Sequence, residues 1–334
     1  MAEKVISPYR YTSKFVGRTV PIKYRIAYFI RASVFLPILA FELPSLRGRA
    51  PSRSIHATKL LNDISNSTHG KGLEFFHKIT SWLRRNDTRL FDLSIPISNT
   101  RSGQLFEDSH VDNLVAELRL RGCVAIPGFM GGEECTSLLT SIRKMNGSAR
   151  PSGLAYETQF GWMAEPDSGP RFDTNQQVLG DNPLVTDLKD NGLILNISRR
   201  YLHCAPVLAS IQSWTTRPPI DNLPETLDET AMAFHCDSDY FGFLKFFILL
   251  TKVEVENGPF AFITGSHRGD RHVAGRMPDQ ALLSPGDSVF LGTGEPGDLI
   301  IADTKGWHKA SPPTQGQRTM LQFVFAGSLF GRSS

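Results

Sequence analysis

From residue 207 onward the chain is a succession of short apolar runs cut by turn signals, and this texture restricts its fold more than any other feature. The runs are "VLASIQSWTT", "AMAFHCD", "FLKFFILLTKVEV", "PFAFITG", "DSVFLG", "GDLIIAD" and "RTMLQFVFAG", rich in β-branched and aromatic residues and separated by Pro-Gly, Asn-Gly and Gly-Asp pairs. Many short strands joined by tight turns build an antiparallel sandwich or barrel. The earlier residues follow a different rhythm. Helical patterns run through "LEFFHKITSWLRR", "VDNLVAELRLRG" (stopping at Gly122), "GEECTSLLTSIRKMNG" (closed by Gly147) and "ISRRYLHCAPVL", with "CVAIPGFM" as one short strand. Helices first and strands later predict an α+β protein, a β core with a helical flank.

Charge divides the chain differently. Residues 1–90 hold 16 Lys+Arg against 5 Asp+Glu, a net of +11, which leaves 20 against 28, a net of −8, for the remainder of a chain whose overall charge is +3. The expected organisation is a basic, partly helical N-terminal region over residues 1–100, with residues 46–58 as a linker, followed by the main domain over 101–334. Within the head, the uninterrupted apolar run at 32–41 is half the roughly 20 residues a membrane-spanning helix needs. No transmembrane helix is expected. Arg and Lys beside that run would suit peripheral contact with an anionic membrane, and an Arg-rich, acid-poor start also suits organelle import. Four cysteines without C-x-x-C spacing read as reduced thiols of an intracellular protein, cytoplasmic or held at a membrane surface. No nucleic-acid partner is expected.

Candidate chemistry begins in "AFHCDSDYFGF". Alternation along a strand sends His235 and Asp237 to one face and Cys236 to the other. Downstream, "GDLIIADTKGWHKASPP" ends a strand in a polar cluster around His308, and ten residues later Arg318 opens another strand. Two imidazoles and one carboxylate can cap one face of an octahedral iron and leave three positions open, the arrangement of non-haem Fe(II) oxygenases. Arg318 then has a defined task as a bidentate, always-charged anchor for the carboxylate of a co-substrate.

From about residue 107 to the end, the chain resembles the phytanoyl-CoA dioxygenase family of Fe(II)/2-oxoglutarate-dependent oxygenases. The residues that carry the resemblance are "GCVAIPGFMGGEE", "HCDSDYF" at 235–241, "LLTKVEVENGPFAFITGSHR" at 249–268, "PGD" at 296–298, and "WH" at 307–308 with Arg318 behind it. The resemblance implies a double-stranded β-helix, or cupin-like jelly roll, flanked by helices. It implies His235, Asp237 and His308 as catalytic iron ligands, Arg318 as the anchor of the distal carboxylate of 2-oxoglutarate, and O2 as oxidant with ascorbate as the supporting reductant. Many relatives place a Ser two residues after the distal His; here that position is Ala310, and Ser311 or Thr319 stands near enough to take its place. Asp237, which halogenating relatives lose, favours hydroxylation or another hydrogen abstraction.

The implied substrate is a small organic or lipid-like metabolite, oxidised with release of succinate and CO2. A non-catalytic jelly-roll module that binds a ligand or a membrane is the alternative. Lys245, inside the apolar run, reads either as a solvent-facing edge residue or as a buried cation for a carboxylate of 2-oxoglutarate or of the substrate. Phe241 and Phe247 are candidates for the pocket wall. Alternation from Arg318 puts Met320, Gln322 and Val324 on its face, so Gln322 is a polar group aimed inward and a candidate for contact with substrate. His267 reads as a structural residue in a turn.

Overall fold

A computed structural model describes residues 55–68, 71–84, 103, 106–219, 232–268, 282–283 and 286–331. Its helices are α1 (Ile55–Thr68), α2 (Lys71–Arg84), α3 (Asp108–Arg121), α4 (Gly132–Arg143), α5 (Gln159–Ala164), α6 (Gln176–Gly180), α7 (Pro183–Lys189) and α8 (Gly192–Leu202). The strands are β1 (Cys123–Ile126), β2 (Gly147–Arg150), β3 (Ala155–Tyr156), β4 (Arg171–Thr174), β5 (Val207–Thr216), β6 (Phe243–Leu249), β7 (Phe260–Ile263), β8 (Val289–Gly292), β9 (Leu299–Ala302), β10 (His308–Ala310) and β11 (Arg318–Ala326). They form an eight-stranded sheet in the order β1-β9-β6-β11-β5-β4-β2-β3 and a three-stranded sheet β10-β7-β8.

All the pairings are antiparallel, and most neighbours, such as β1 with β9, β6 with β11 and β11 with β5, are distant in sequence, as in a jelly roll. The two sheets meet face to face through Trp214, Phe247, Leu249, Ile300 and Met320 from the larger and Phe260 and Phe262 from the smaller. On its other face the larger sheet carries Phe246, Ile248, Leu321, Phe323 and Phe325 against Val115, Leu118, Leu138, Ile194 and Ile197 of α3, α4 and α8. Both faces of β6 and β11 are therefore covered. This explains why their sequences read as nearly continuous apolar runs, in which Lys245 and Gln322 stand out.

Local chemistry sets the element ends. Asn175, Asn182 and Asn191 precede α6, α7 and α8, and each side-chain oxygen accepts two backbone N–H groups of the first turn, worth about 1 kcal/mol per cap. Gly122 ends α3 at φ 87, with its N–H donated to Leu118 O, and a Cβ there would fall on His267 and Phe262. The expected stop at Gly147 is different in the structure. The helix ends at Arg143, and Gly147 opens β2, where a Cβ would meet the Asp173 carbonyl oxygen. Likewise the expected linker gives up its last residues to α1, which begins at Ile55.

Part of the basic head belongs to the body of the protein. Leu61, Ile64, Leu73 and Phe76 of α1 and α2 pack with Phe241 and Phe330. Ser81 donates to Leu202 O at 3.0 Å, and Lys71 to Arg268 O at 2.9 Å. Gly242 and Gly327 lack side chains where the His77 ring lies, so any Cβ would collide with it. Residues 55–84 of the expected N-terminal region thus pack against residues of the expected main domain. Residues 1–54, including the apolar run at 32–41, lie outside the described residues. Among the described residues, no helix is long and apolar enough to cross a membrane.

The docked His77 carries a pH dependence. Burial above all, with Lys305 adding to it, pushes its imidazole down from 6.5 to about 3. The unfolded chain therefore protonates first: this contribution to stability is complete above pH 6.5 and is lost as the pH falls toward 3. The slope is about 1.4 kcal/mol per pH unit in that window. A His77→Phe protein, which keeps a ring but cannot titrate, should show a flatter decline of stability between about pH 6.5 and pH 4 in acid-dependent denaturant melts. An unchanged slope would assign the acid sensitivity to other groups.

Candidate metal centre

His235 and His308 are joined through their backbones. The His235 N–H donates to His308 O at 2.9 Å and the His308 N–H to His235 O at 3.0 Å, so the segment before β6 extends the smaller sheet alongside β10. This places the imidazoles side by side, ring centroids 4.3 Å apart. In each ring Nδ1 lies 2.9 Å from the carbonyl two residues back, Ala233 O for His235 and Gly306 O for His308. A carbonyl only accepts, so Nδ1 is the donor, and in the neutral ring Nε2 keeps its lone pair. Both Nε2 atoms face Asp237, at 3.7 Å from Oδ1 for His235 and 3.2 Å from Oδ2 for His308.

Asp237 is fixed from two directions. Its N–H donates to Thr304 O at 2.9 Å, and Oδ2 accepts Lys245 Nζ at 2.7 Å. Burial alone would raise its carboxyl, but Lys245 above all holds it well below the usual carboxylate range. Lys245 also meets Asp239 at 3.1 Å, and the two carboxylates raise its ammonium despite burial. The donor atoms of His235, Asp237 and His308 lie within 4.8 Å of one another. Two lone-pair nitrogens with hydrogen-bonded Nδ1 atoms and one ionised carboxylate are a donor set that fits a divalent metal.

These three residues line a cavity of about 710 Å³ between the sheets. Phe247 lines it, with its ring 5.1 Å from Phe260 and 6.3 Å from Trp214. Gln322 also lines it, its Nε2 donating to Gln212 Oε1 at 3.1 Å. Ala310 is on the wall as well. Along β11, on the same face as Gln322, Arg318 is buried to 1% exposure, and among the described residues its Nε and Nη1 have no hydrogen-bond partner. Burial, with the neighbouring Arg171 adding to it, pushes its guanidinium down to about 9, still cationic at neutral pH.

Three expectations are corrected by this arrangement. Thr319 is on the opposite face of β11 from Arg318, bonded to Thr215 Oγ1 at 2.7 Å, which itself accepts Gln159 Nε2; alternation removes it from the cavity. Phe241 precedes β6 and stacks on Phe330 with centroids 5.1 Å apart, under α1 and α2, so it forms no part of the cavity wall. Lys245 is not a solvent-facing edge residue: it lines the cavity, where it is paired with the protein's own Asp237 and Asp239. Cys236 points away from the cavity into a cluster with Phe234 and Trp307, and His267 bonds Arg119 O at 3.0 Å behind the sheet.

Sequence reasoning passed over Gln212, Trp214, Arg150, Arg171 and Asp173, all of which line the cavity. Arg171 and Asp173 are separated by one residue, the same spacing as His235 and Asp237. That spacing was the available signal.

A jelly roll that gathers two imidazoles and one carboxylate on the wall of its cavity has the donor set of the non-haem oxygenase class. The sequence profile described as phytanoyl-CoA dioxygenase (PhyH) matches residues 118–320, more than half of the chain, and the chain belongs to that family. Similar solved structures include the non-haem α-ketoglutarate-dependent carbocyclase SnoK from nogalamycin biosynthesis, 20% identical, with a TM-score of 0.47, covering 68% of this chain and 86% of that one. HygX from Streptomyces hygroscopicus, solved with nickel and 2-oxoglutarate bound, is 14% identical with a TM-score of 0.45, covering 64% of this chain and 86% of that one. No curated protein matches the sequence.

Proposed function

We propose that the protein is an Fe(II)/2-oxoglutarate-dependent dioxygenase that oxidises a small organic molecule. Most of the support comes from one side chain. Arg318 is a buried cation whose Nε and Nη1 have no partner among the described residues, on the inner face of the sheet that walls the cavity, and a buried charge is costly unless something pairs with it. The distal carboxylate of 2-oxoglutarate is the partner its planar fork fits.

His235, Asp237 and His308 would hold the iron, which, with 2-oxoglutarate and O2, supplies an oxidant for an unreactive C–H bond and yields succinate and CO2. The protein's own contribution is positional. Ala233 O and Gly306 O keep each imidazole oriented with Nε2 inward. Lys245 holds one oxygen of Asp237 and so fixes the carboxylate. Trp214, Phe247 and Phe260 give the cavity apolar walls that exclude water from the reacting centre, while Gln212 and Gln322 offer hydrogen bonds to a bound molecule.

Purified protein supplied with Fe(II), ascorbate and 2-oxoglutarate should form succinate slowly without any added substrate, and removal of iron by a chelator should stop it. Succinate formation no faster than in protein-free controls, with no 2-oxoglutarate binding to the metal-loaded protein, would overturn the proposal and favour a non-catalytic binding module.

A further inference from the structure

We propose that the molecule oxidised in this cavity carries an anionic group, a carboxylate or a phosphate, held by the paired guanidinium groups of Arg150 and Arg171. This deepens the oxygenase reading and rests on it. Strand register supplies the first observation. Arg150 is opposite Arg171, Arg171 opposite Thr216, and Thr216 opposite Arg318, so three arginines form one row across β2, β4, β5 and β11. The next row on that face holds Asp173, Trp214 and Met320. Arg150, Arg171, Asp173 and Trp214 all line the same cavity as His235 and Asp237.

Asp173 is the carboxylate that serves two of the three. Its Oδ2 accepts Arg150 Nε at 3.0 Å and its Oδ1 accepts Arg171 Nε at 2.6 Å. Both arginines use Nε for this, and neither makes a hydrogen bond through Nη1 or Nη2 among the described residues. Arg171 lies over the Trp214 ring, 4.8 Å from its centroid, which fixes the plane of the guanidinium. A salt bridge that only closed the sheet edge would need one arginine. A second on the same carboxylate adds repulsion and leaves two sets of Nη donors for an oxyanion. Elsewhere on the cavity wall Lys245 is matched by Asp237 and by the nearby Asp239, and the lining holds one further carboxylate and one further cation, Glu157 and Lys309. The unmatched positive charge is at the arginine row.

Two anions are needed to complete that row. Arg150 and Arg318 are three strand spacings apart, about 14 Å, too far for one carboxylate to reach both. Arg318 is buried, whereas the Arg150 side chain is 53% exposed and that of Arg171 18% exposed. The inner position suits a co-substrate that enters first, and the outer pair suits a second molecule that enters after it.

The test uses Zn(II)-loaded protein, which consumes no oxygen, with saturating 2-oxoglutarate. Benzoate and phenyl phosphate are titrated against the neutral benzamide and phenol, and affinities are read by calorimetry or ligand-observed NMR. At least one anion should bind about tenfold more tightly than its neutral counterpart. Preference for benzoate assigns a carboxylate, and preference for phenyl phosphate a phosphate. The ratio should fall toward one in Arg150→Gln/Arg171→Gln. In Asp173→Asn it should rise, because that change leaves a single acceptor oxygen for the two Nε groups and removes a competing charge. Equal binding of charged and neutral probes overturns the proposal, as does a preference that survives loss of both arginines. Should the double variant not fold, an unchanged or reduced ratio in Asp173→Asn overturns it instead. Succinate formation by the wild-type protein is measured separately, so failure of this inference and failure of the oxygenase reading are distinguishable.

Discussion

Asp237→Ala is expected to destroy metal binding and, in metal-free protein, to lower stability by about 3 kcal/mol. Both effects follow from the double use of one carboxylate. Its oxygens face the two Nε2 atoms, and one of them neutralises the buried ammonium of Lys245. Removing one partner of a buried ion pair costs about 3–5 kcal/mol. The lower figure applies here because Asp239 still meets Lys245 at 3.1 Å. Metal affinity should fall further than the roughly 10- to 100-fold that loss of a supporting contact costs, and Lys245→Met, which removes only such a contact, sets that scale within the same protein. Denaturant melts and metal titration monitored separately check the two effects. Retention of metal affinity in Asp237→Ala would remove this carboxylate from the donor set.

Arg318→Met should move affinity and stability in opposite directions. Leaving the co-substrate's buried carboxylate without its charge partner costs on the order of 2–5 kcal/mol, roughly 30- to 5,000-fold in 2-oxoglutarate affinity. Without 2-oxoglutarate the same change relieves the protein of a buried guanidinium with unpartnered Nε and Nη1, and each unsatisfied buried group costs about 1–3 kcal/mol. The variant should therefore melt at a higher temperature than wild type when both are free of ligand, and respond far less to added 2-oxoglutarate. Metal affinity should hold, because Arg318 touches none of the three donors. Unchanged 2-oxoglutarate affinity would place its anchor elsewhere.

Long elements with strong periodicity were legible from the sequence. The run at 207–216 corresponds to β5 without adjustment, the run at 318–327 to β11 except for its last residue, Gly327, and Gly122 marked the end of α3. The convergence of His235, Asp237 and His308 was legible too, since strand alternation fixes the first two and the third follows a strand end. What escaped was set by tertiary context. "GSAR", "AY" and "RFDT" have little strand propensity of their own and are strands because β5 offers them an edge to extend. Arg150 and Arg171 went unnoticed with them. Thr319 was a different kind of miss: the alternation that put Gln322 inward also put Thr319 outward, and following it consistently would have excluded that residue. Phe241 lies just ahead of β6, where no period applies, and its partners Phe76 and Phe330 are 165 residues before it and 89 after it.

The reciprocal backbone bridge between His235 and His308 ties two points 73 residues apart. Everything between them, β6 to β9 and the turn that presents Gly306 O, has to be in place before the two rings can meet. No fragment and no partly folded chain can offer these donors together, because neither histidine has the other's neighbourhood until the smaller sheet has closed. Competence for metal is therefore a late property of the chain, acquired at the end of folding.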